Sequence, residues 1–397
     1  MVKLSKRALN LSPSETLAAG ARAKRLKAEG FDVKGLTLGE PDFATPENVQ
    51  KAAIEAIHSG VASYYTETPG ILPLRQAIQK HLADIYNIDL EVANITVTDG
   101  AKMALYTLFQ VILEAGDEVI IPTPYWVSYG EQVKLAEGVP VFAPAKFENH
   151  YKITVEDLEE YVTEKTQAII INSPSNPTGM IYTKEELTLI GLWALKHKIL
   201  VISDDIYGRL VYNGNQFTAL ASISEEIKEN TMIINGVSKS YSMTGWRIGF
   251  AAGNQKIISA MNDIMSHSTS NPSAVAQYAS LEAFSGTQEP VEKMRQAFEE
   301  RLNEMYPKLL ALPGFQFEKP QGAFYFFPNI RETLELTGYA NASDFANDLL
   351  DEEHVAVVTG GAFGAPDNIR MSYAADIDTL HEAVDRIARF IENKRIK

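Results

Sequence analysis

Short apolar runs alternate with amphipathic segments through the middle of the chain. The runs lie at residues 94–98 and in EVIIP, GVPVF, QAIIIN and ILVISDD. Apolar stretches this short, bounded by Gly, Pro, Ser or Asn, read as strands covered on both faces. Between them, helical periodicity predicts helices over about 72–86, from 101 to near Gly116, after Tyr125-Trp126, near 154–163 and over 183–198. Alternating strands and helices predict an α/β fold with a mostly parallel sheet covered by helices. In such sheets ligands bind beyond the C-terminal ends of the strands.

The flanks read differently. Ser12-Pro13-Ser14-Glu15 has the form of a capping box with proline at the first helical position, opening a helix to about Glu29 that Gly30 closes. GLTL is a short strand leading into the loop LGEPDFATP, and Thr45-Pro46 starts a second helix that ends near Gly60. After Asn254 the pattern turns helical, and 289–312 reads as a long, charged, periodic rod between two domains. Beyond it come short strands in FQFEK, AFYFFP, VAVV and NIRMSYA, with helices at about 343–352 and 376–394, an α+β pattern. No internal repeat and no low-complexity segment interrupts the chain.

Composition narrows the function classes. At 397 residues, roughly two domains are expected. A net charge of −15, from 36 basic and 51 acidic residues, disfavours nucleic-acid binding. The chain has no cysteine, which excludes disulfides, thiolate metal sites and a Cys nucleophile. No stretch approaches the ~18–20 apolar residues of a membrane span, and MVKLSKRALNL lacks the apolar core of a signal peptide. A cytoplasmic enzyme is the expectation.

Candidate chemistry gathers at predicted strand ends. In TMIINGVSKSYSMTGWRIGFAAG, residues 231–253, one lysine and one arginine sit on a tight loop between two apolar strands. Lys239 is either an ordinary solvated surface lysine or a desolvated amine, which has a lowered pKa and attacks carbonyls. Ser238, Ser240 and Arg247 are donors suited to a phosphate. Lysine plus phosphate donors points to a covalently held, phosphorylated aldehyde such as pyridoxal phosphate. Asp99-Gly100-Ala101-Lys102 joins a strand to a helix N-terminus, either an anion site or a plain turn. Trp126 is placed either to cover a planar ring or to pack in the core. NSPSNPTG ends the apolar strand AIII and is either a plain turn or a ligand loop in which a cis Asn176-Pro177 bond holds the Asn176 amide in one direction. Asp204 needs a cation, such as a pyridinium nitrogen, unless it caps a turn, and Tyr207 is near enough to reach the same ring. Arg370 is either on a solvent face or a fork for a carboxylate.

In the order LGEPDF, YYTETPG, PYWVSY, NSPSNPTG, SDDIY, SKSYSMTGWRIG, GAFY and RMSYA, the chain resembles the class I/II pyridoxal-phosphate-dependent aminotransferases of fold type I. The resemblance is strongest to the bacterial aspartate aminotransferases that carry SKxxxMTGWRIG. It implies a seven-stranded, mostly parallel sheet in a large cofactor-binding domain, 46–289. A smaller α+β domain follows at 290–397, completed by an arm at 1–45. It implies that Lys239 binds pyridoxal 5'-phosphate covalently and then acts as general acid and base. Asp204 pairs with the ring nitrogen, Asn176 and Tyr207 bond the phenolic oxygen, and Trp126 stacks on the ring. Gly100, Ala101, Lys102, Ser238 and Arg247 surround the phosphate, and Tyr65 reaches the phosphate in the other subunit of a homodimer. Arg370 forks the substrate carboxylate with help from Asn176, Trp126 and Gly39. Lys102, with Ser14 and Thr16, faces a distal carboxylate, and hydroxyls near Ser268–Ser270 stand where other aspartate aminotransferases use an arginine. The implied reaction is ping-pong transfer of an amino group between an L-amino acid, aspartate first, and a 2-oxo acid, 2-oxoglutarate first. Aromatic amino acids, alanine, prephenate and a C–S lyase reaction are the alternatives. Ser12 stands where some prephenate-using relatives carry a basic residue. Neither a metal, a nucleic acid nor a membrane is expected as a partner.

Overall fold

The computed structural model describes residues 2–13 and 15–396, with the backbone alone for 15–17. Its strands are β1 (Lys34–Gly35), β2 (Ile95–Thr98), β3 (Glu118–Thr123), β4 (Val139–Pro144), β5 (Thr166–Asn172) and β6 (Leu200–Asp204), then β7 (Thr231–Gly236) and β8 (Gly249–Ala252). Further on come β9 (Tyr325–Phe326), β10 (Val355–Ala356), β11 (Val358–Thr359) and β12 (Ile369–Ser372). Seven of them form one sheet in the order β2-β8-β7-β6-β5-β3-β4. All its pairs are parallel except those of β8, which runs antiparallel to both β2 and β7. The expected mostly parallel sheet is therefore present.

The antiparallel step has a local cause. Parallel neighbours need a long crossover, whereas antiparallel ones can be joined by a short link. The link from β7 to β8 holds only the short turn Thr244–Trp246, so the chain returns alongside itself. Gly236 and Gly249 face each other where the link leaves the sheet. A Cβ on Gly236 would come within 2.8 Å of the Gly249 Cα, so only glycine lets the strands close there. The loop bearing Lys239 and Arg247 is thus pinned at its base.

Both sheet faces are buried along the inner strands, but the edge strand β4, from GVPVF, leaves Val139 and Phe142 exposed, because it has a neighbour on one side only. Along β5, Ile169 and Ile171 pack with Leu187, Ile190 and Trp193 of the helix Lys184–His197. Ala168 and Ile170 point the other way, against Leu105 and Leu108 of Ala101–Ile112 and Val133 of Ser128–Leu135. Each fully buried isoleucine contributes about 1.5–3 kcal/mol. A separate core holds Phe298, Leu302 and Leu309 of Glu289–Leu310 against Phe324, Phe326, Met371 and Ile387. It also takes in Leu36 and Tyr207. Strand β1 pairs in parallel with β10, which ties the N-terminal segment to the C-terminal one, and β11-β12-β9 form an antiparallel sheet beside it.

Several expected elements differ. The first long helix spans Glu15–Ala28, so Ser12 and Pro13 precede it. Ser12 donates its backbone N–H to Glu131 Oε2 at 3.0 Å. Ser14 and the side chain of Thr16 lie outside the described residues. FQFEK forms only an isolated bridge at Gln316, because Phe315 and Phe317 are buried in the core while the backbone there has a single pairing partner, Asn329. The helix near 154–163 is the short Val155–Leu158, and Arg331–Thr337 is a helix the pattern did not indicate. Among the described residues no helix is long and apolar enough to cross a membrane.

Candidate active site

Five strand ends converge on one cavity of about 380 Å³. Gly39, Ala101, Lys102, Trp126, Asn176, Asp204, Tyr207, Ser238, Lys239, Arg247 and Arg370 all line it, whereas Gly100, Tyr65, Ser240 and Ser268–Ser270 do not. Adjacent ends β5 and β6 bring Asn172 opposite Asp204 in register. Asn172 then organises the corner: its Nδ2 donates to the Asp204 carbonyl at 2.9 Å, and its Oδ1 accepts the Asn176 N–H at 2.8 Å. The bonds Thr123-Pro124, Ser173-Pro174 and Asn176-Pro177 are cis.

Strand alternation separates the two aspartates. Asp204 faces the cavity, where Tyr129 Oη donates to its Oδ2 at 2.6 Å and the Ile206 N–H to its Oδ1 at 3.3 Å. Burial raises the Asp204 carboxyl to about 6, against the opposing pull of those two bonds and of Lys239. Asp205 accepts from Ser203 Oγ at 2.6 Å and is pushed well above the usual carboxylate range by burial.

Lys239 donates from Nζ to the Gly39 carbonyl. Burial lowers its amine to about 8; Glu40 opposes that, and the charges of Arg370 and Arg247 add to it. At pH 7 about a tenth of such an amine is unprotonated and nucleophilic, far more than of an ordinary lysine.

Arg370 is only 2% exposed, so the solvent-face reading fails. One terminal nitrogen donates to Asn176 Oδ1 at 3.0 Å and the other to the Thr37 carbonyl at 2.9 Å. Its plane lies against the Tyr325 and Phe363 rings, at 4.5 Å and 4.9 Å from their centres. Its Nε is buried with no partner, and among the described residues Arg370 forms no ion pair. A buried guanidinium without a counter-charge calls for an anion from outside.

Other cations complete the wall. Lys102 Nζ sits 5.0 Å from the centre of the Trp126 ring, and partial desolvation, then Arg247, lowers its pKa. Arg247 donates to the Thr244 and Asp99 carbonyls at 2.8 and 3.4 Å. Gly100, at φ +83°, caps the helix Ala101–Ile112, and a Cβ there would collide with the Arg247 guanidinium. Helix N-terminus, glycine and arginine together make an anion cradle. Ser238 is buried beside it, and Tyr207 Oη lies 2.9 Å from Tyr325 Oη.

Tyr65 stands away from this cavity and is 91% exposed. Ser268, just past the helix Gln255–Ser266, donates its hydroxyl to the Ile264 carbonyl at 3.0 Å. Residue-by-residue reading missed Tyr129, Tyr325 and the side-chain role of Asn172. All three stood inside the quoted runs PYWVSY, GAFY and NSPSNPTG, but Tyr129, Tyr325 and the Asn172 Nδ2 meet partners 75, 118 and 32 positions away.

Comparison with known proteins agrees with this geometry. A family model for aminotransferase class I and II matches residues 32–387. The asparagine--oxo-acid transaminase of Streptococcus mutans is 55% identical, covering 99% of this chain and 100% of that protein. The aspartate aminotransferase of Geobacillus stearothermophilus is 56% identical over 98% of this chain and 99% of its own. Among solved structures, the aspartate aminotransferase from Thermus thermophilus with maleate superposes with a TM-score of 0.93 at 37% identity, covering 98% of this chain and all of that one. With a desolvated lysine, a buried aspartate and a glycine–arginine corner at the ends of this sheet, the chain belongs to the class I and II aminotransferases, enzymes that use pyridoxal phosphate to exchange amino groups between amino acids and oxo acids.

Proposed function

We propose that the preferred amino donor is aspartate and the acceptor 2-oxoglutarate. The observation that carries this reading is a pair of cavity cations, Arg370 and Lys102, neither ion-paired among the described residues. A four-carbon amino acid with two carboxylates offers one anion to each.

The cavity suits pyridoxal 5'-phosphate on three counts. It has a glycine cradle beside Arg247, a buried carboxylate at Asp204 and a desolvated amine at Lys239. In this reading Lys239 holds the aldehyde carbon. Asp204 holds a proton at the ring nitrogen, and Asn176 and Tyr207 bond the phenolic oxygen. Trp126 covers the ring face. The Gly100, Ala101 and Lys102 backbone, Ser238 and Arg247 hold the phosphate, with Tyr65 from a second copy. When bound, the cofactor supplies an electron sink that makes the substrate Cα proton acidic. Lys239, as a free neutral amine, would take the proton from Cα and deliver it two atoms along, to the cofactor carbon beyond the amino nitrogen. Arg370, backed by Asn176, Trp126 and Gly39, fixes the α-carboxylate so that the Cα hydrogen faces Lys239. A homodimer with shared sites, and a division into 1–45 with 290–397 against 46–289, belong to the same reading.

The test is a donor panel with 2-oxoglutarate. Aspartate is expected to yield oxaloacetate and glutamate faster than asparagine, alanine or phenylalanine. Lys102→Ala is expected to lower kcat/KM for aspartate about tenfold or more while sparing alanine, from loss of one charge-assisted contact. Faster turnover of alanine, an aromatic donor or asparagine would remove the dicarboxylate reading.

A further inference from the structure

Gln277 is fully buried on the helix Ala274–Ser285, and two of the three partners of its amide lie in a segment remote from it in sequence. Oε1 accepts the Ile71 N–H at 2.8 Å. Nε2 donates to Thr66 Oγ1 at 2.9 Å and to the Pro272 carbonyl at 2.8 Å. Both amide hydrogens and the carbonyl are therefore engaged. A buried amide with this pattern fixes whatever it touches, because releasing any one bond strands a polar group.

What it touches is the stretch just after two exposed tyrosines. Tyr64 and Tyr65 are 79% and 91% exposed. The loop behind them is nonetheless seated firmly. The Val97 N–H of β2 donates to the Pro69 carbonyl at 3.0 Å. Gly70 has φ +93°, and a Cβ there would press on Val97 at 2.8 Å and on Gln277 Oε1 at 3.1 Å. So the backbone lies flush on Gln277, and glycine is what permits it. Exposed aromatic tips on a clamped base are arranged for something outside their own chain, and clamping beforehand removes the ordering cost of that contact.

We infer that Gln277 is a positioning residue that acts in trans: by clamping residues 66–71 it aims Tyr65 at the cofactor phosphate in a second copy of this chain. The inference rests on the shared-site homodimer proposed above. Gln277 touches neither substrate nor cofactor, and its influence passes through Thr66 and Ile71.

Hybrid dimers test it. In the first hybrid, one chain carries Lys239→Ala with Gln277→Leu and the other is unaltered. Its single working site takes Tyr65 from the altered chain. In the second, Lys239→Ala and Gln277→Leu are on different chains, so the working site takes Tyr65 from a chain with Gln277 intact. Cofactor affinity is read as the fraction fixed to Lys239 by borohydride across a pyridoxal phosphate titration of the apo-hybrid, alongside kcat and KM. The first hybrid is expected to bind cofactor roughly tenfold more weakly, the size of one charge-assisted hydrogen bond. The second is expected to match an unaltered working site. The second hybrid also shows whether the Gln277→Leu chain folds and assembles. If it does not, Thr66→Val, which removes one clamp bond at the loop, is expected to give the same trans pattern at smaller size. Equal losses in both hybrids, or none in either, would overturn trans positioning. Tyr65→Phe in the same two arrangements separates the premises. If it gives no trans pattern, the shared-site reading fails; if it does and the clamp variants do not, the role of Gln277 fails alone.

Discussion

Replacing Tyr129 by Phe removes one oxygen from a fully buried pair. In the parent protein that hydroxyl donates to Asp204 Oδ2 at 2.6 Å, a short bond of the charge-assisted kind. A hydrogen bond to a charged group contributes about 1.5–3 kcal/mol. Burial already pushes the Asp204 carboxyl up to about 6, with the Tyr129 bond as the largest opposing influence. Without its donor the carboxylate becomes more basic and competes for the proton that the cofactor ring nitrogen must carry. Tyr129 also lines the cavity, but its hydroxyl is committed to Asp204. The loss should therefore appear in kcat, by roughly tenfold to a hundredfold at about 1.4 kcal/mol per decade, with KM for the amino donor nearly unchanged. Steady-state kinetics at saturating 2-oxoglutarate measure this, with thermal unfolding as the check that the protein is intact. A folded Tyr129→Phe protein with kcat within about twofold of the parent would refute the reasoning.

Three further outcomes are expected. Lys239→Ala should abolish transamination and leave the fold, as judged by circular dichroism, because the amine acts in the chemistry while its one strong bond goes to the Gly39 carbonyl. Arg370→Lys should raise KM for the amino donor by ten- to a hundredfold, since a point charge cannot make the planar bonds to Asn176 and Thr37 and still fork a carboxylate; unchanged KM would remove Arg370 from the site. For the apoprotein, the raised Asp204 pKa contributes stability that is whole below about 3.8 and is lost as pH rises through about 6. The difference amounts to ~3 kcal/mol. Chemical denaturation between pH 4 and 7 should show that fall flattened in Asp204→Asn, and a parallel profile would refute the assignment.

Much of the site could be read from linear order. The lysine loop after β7, the turn after β5 and the aspartate ending β6 each carry their chemistry within a few residues of a buried strand, and parallel sheets gather such ends on one side. The first helix was placed too early because the spacing of Ser12 to Glu15 fits a capping box, while the Ser12 N–H is taken by Glu131, far along the chain. FQFEK alternates like a strand, but its aromatic side chains are held by the core without a neighbouring strand to pair with along its length.

The division follows the range of the forces. Strand and helix identities, the absence of cysteine chemistry and the order of the strand-end motifs depend on periodicity and local backbone preference, which act over a few residues. The burial of Arg370, the Tyr129 hydroxyl on Asp204 and the Gln277 clamp depend on partners 194, 75 and 206 positions away. Which of two tyrosines three residues from a tryptophan or an aspartate meets a carboxylate, and whether an arginine in a strand faces water or a dry cavity, is set only when the chain closes around them. Solvent exclusion is a property of the packed whole, and it is solvent exclusion that lowers the Lys239 amine and raises the Asp204 carboxyl.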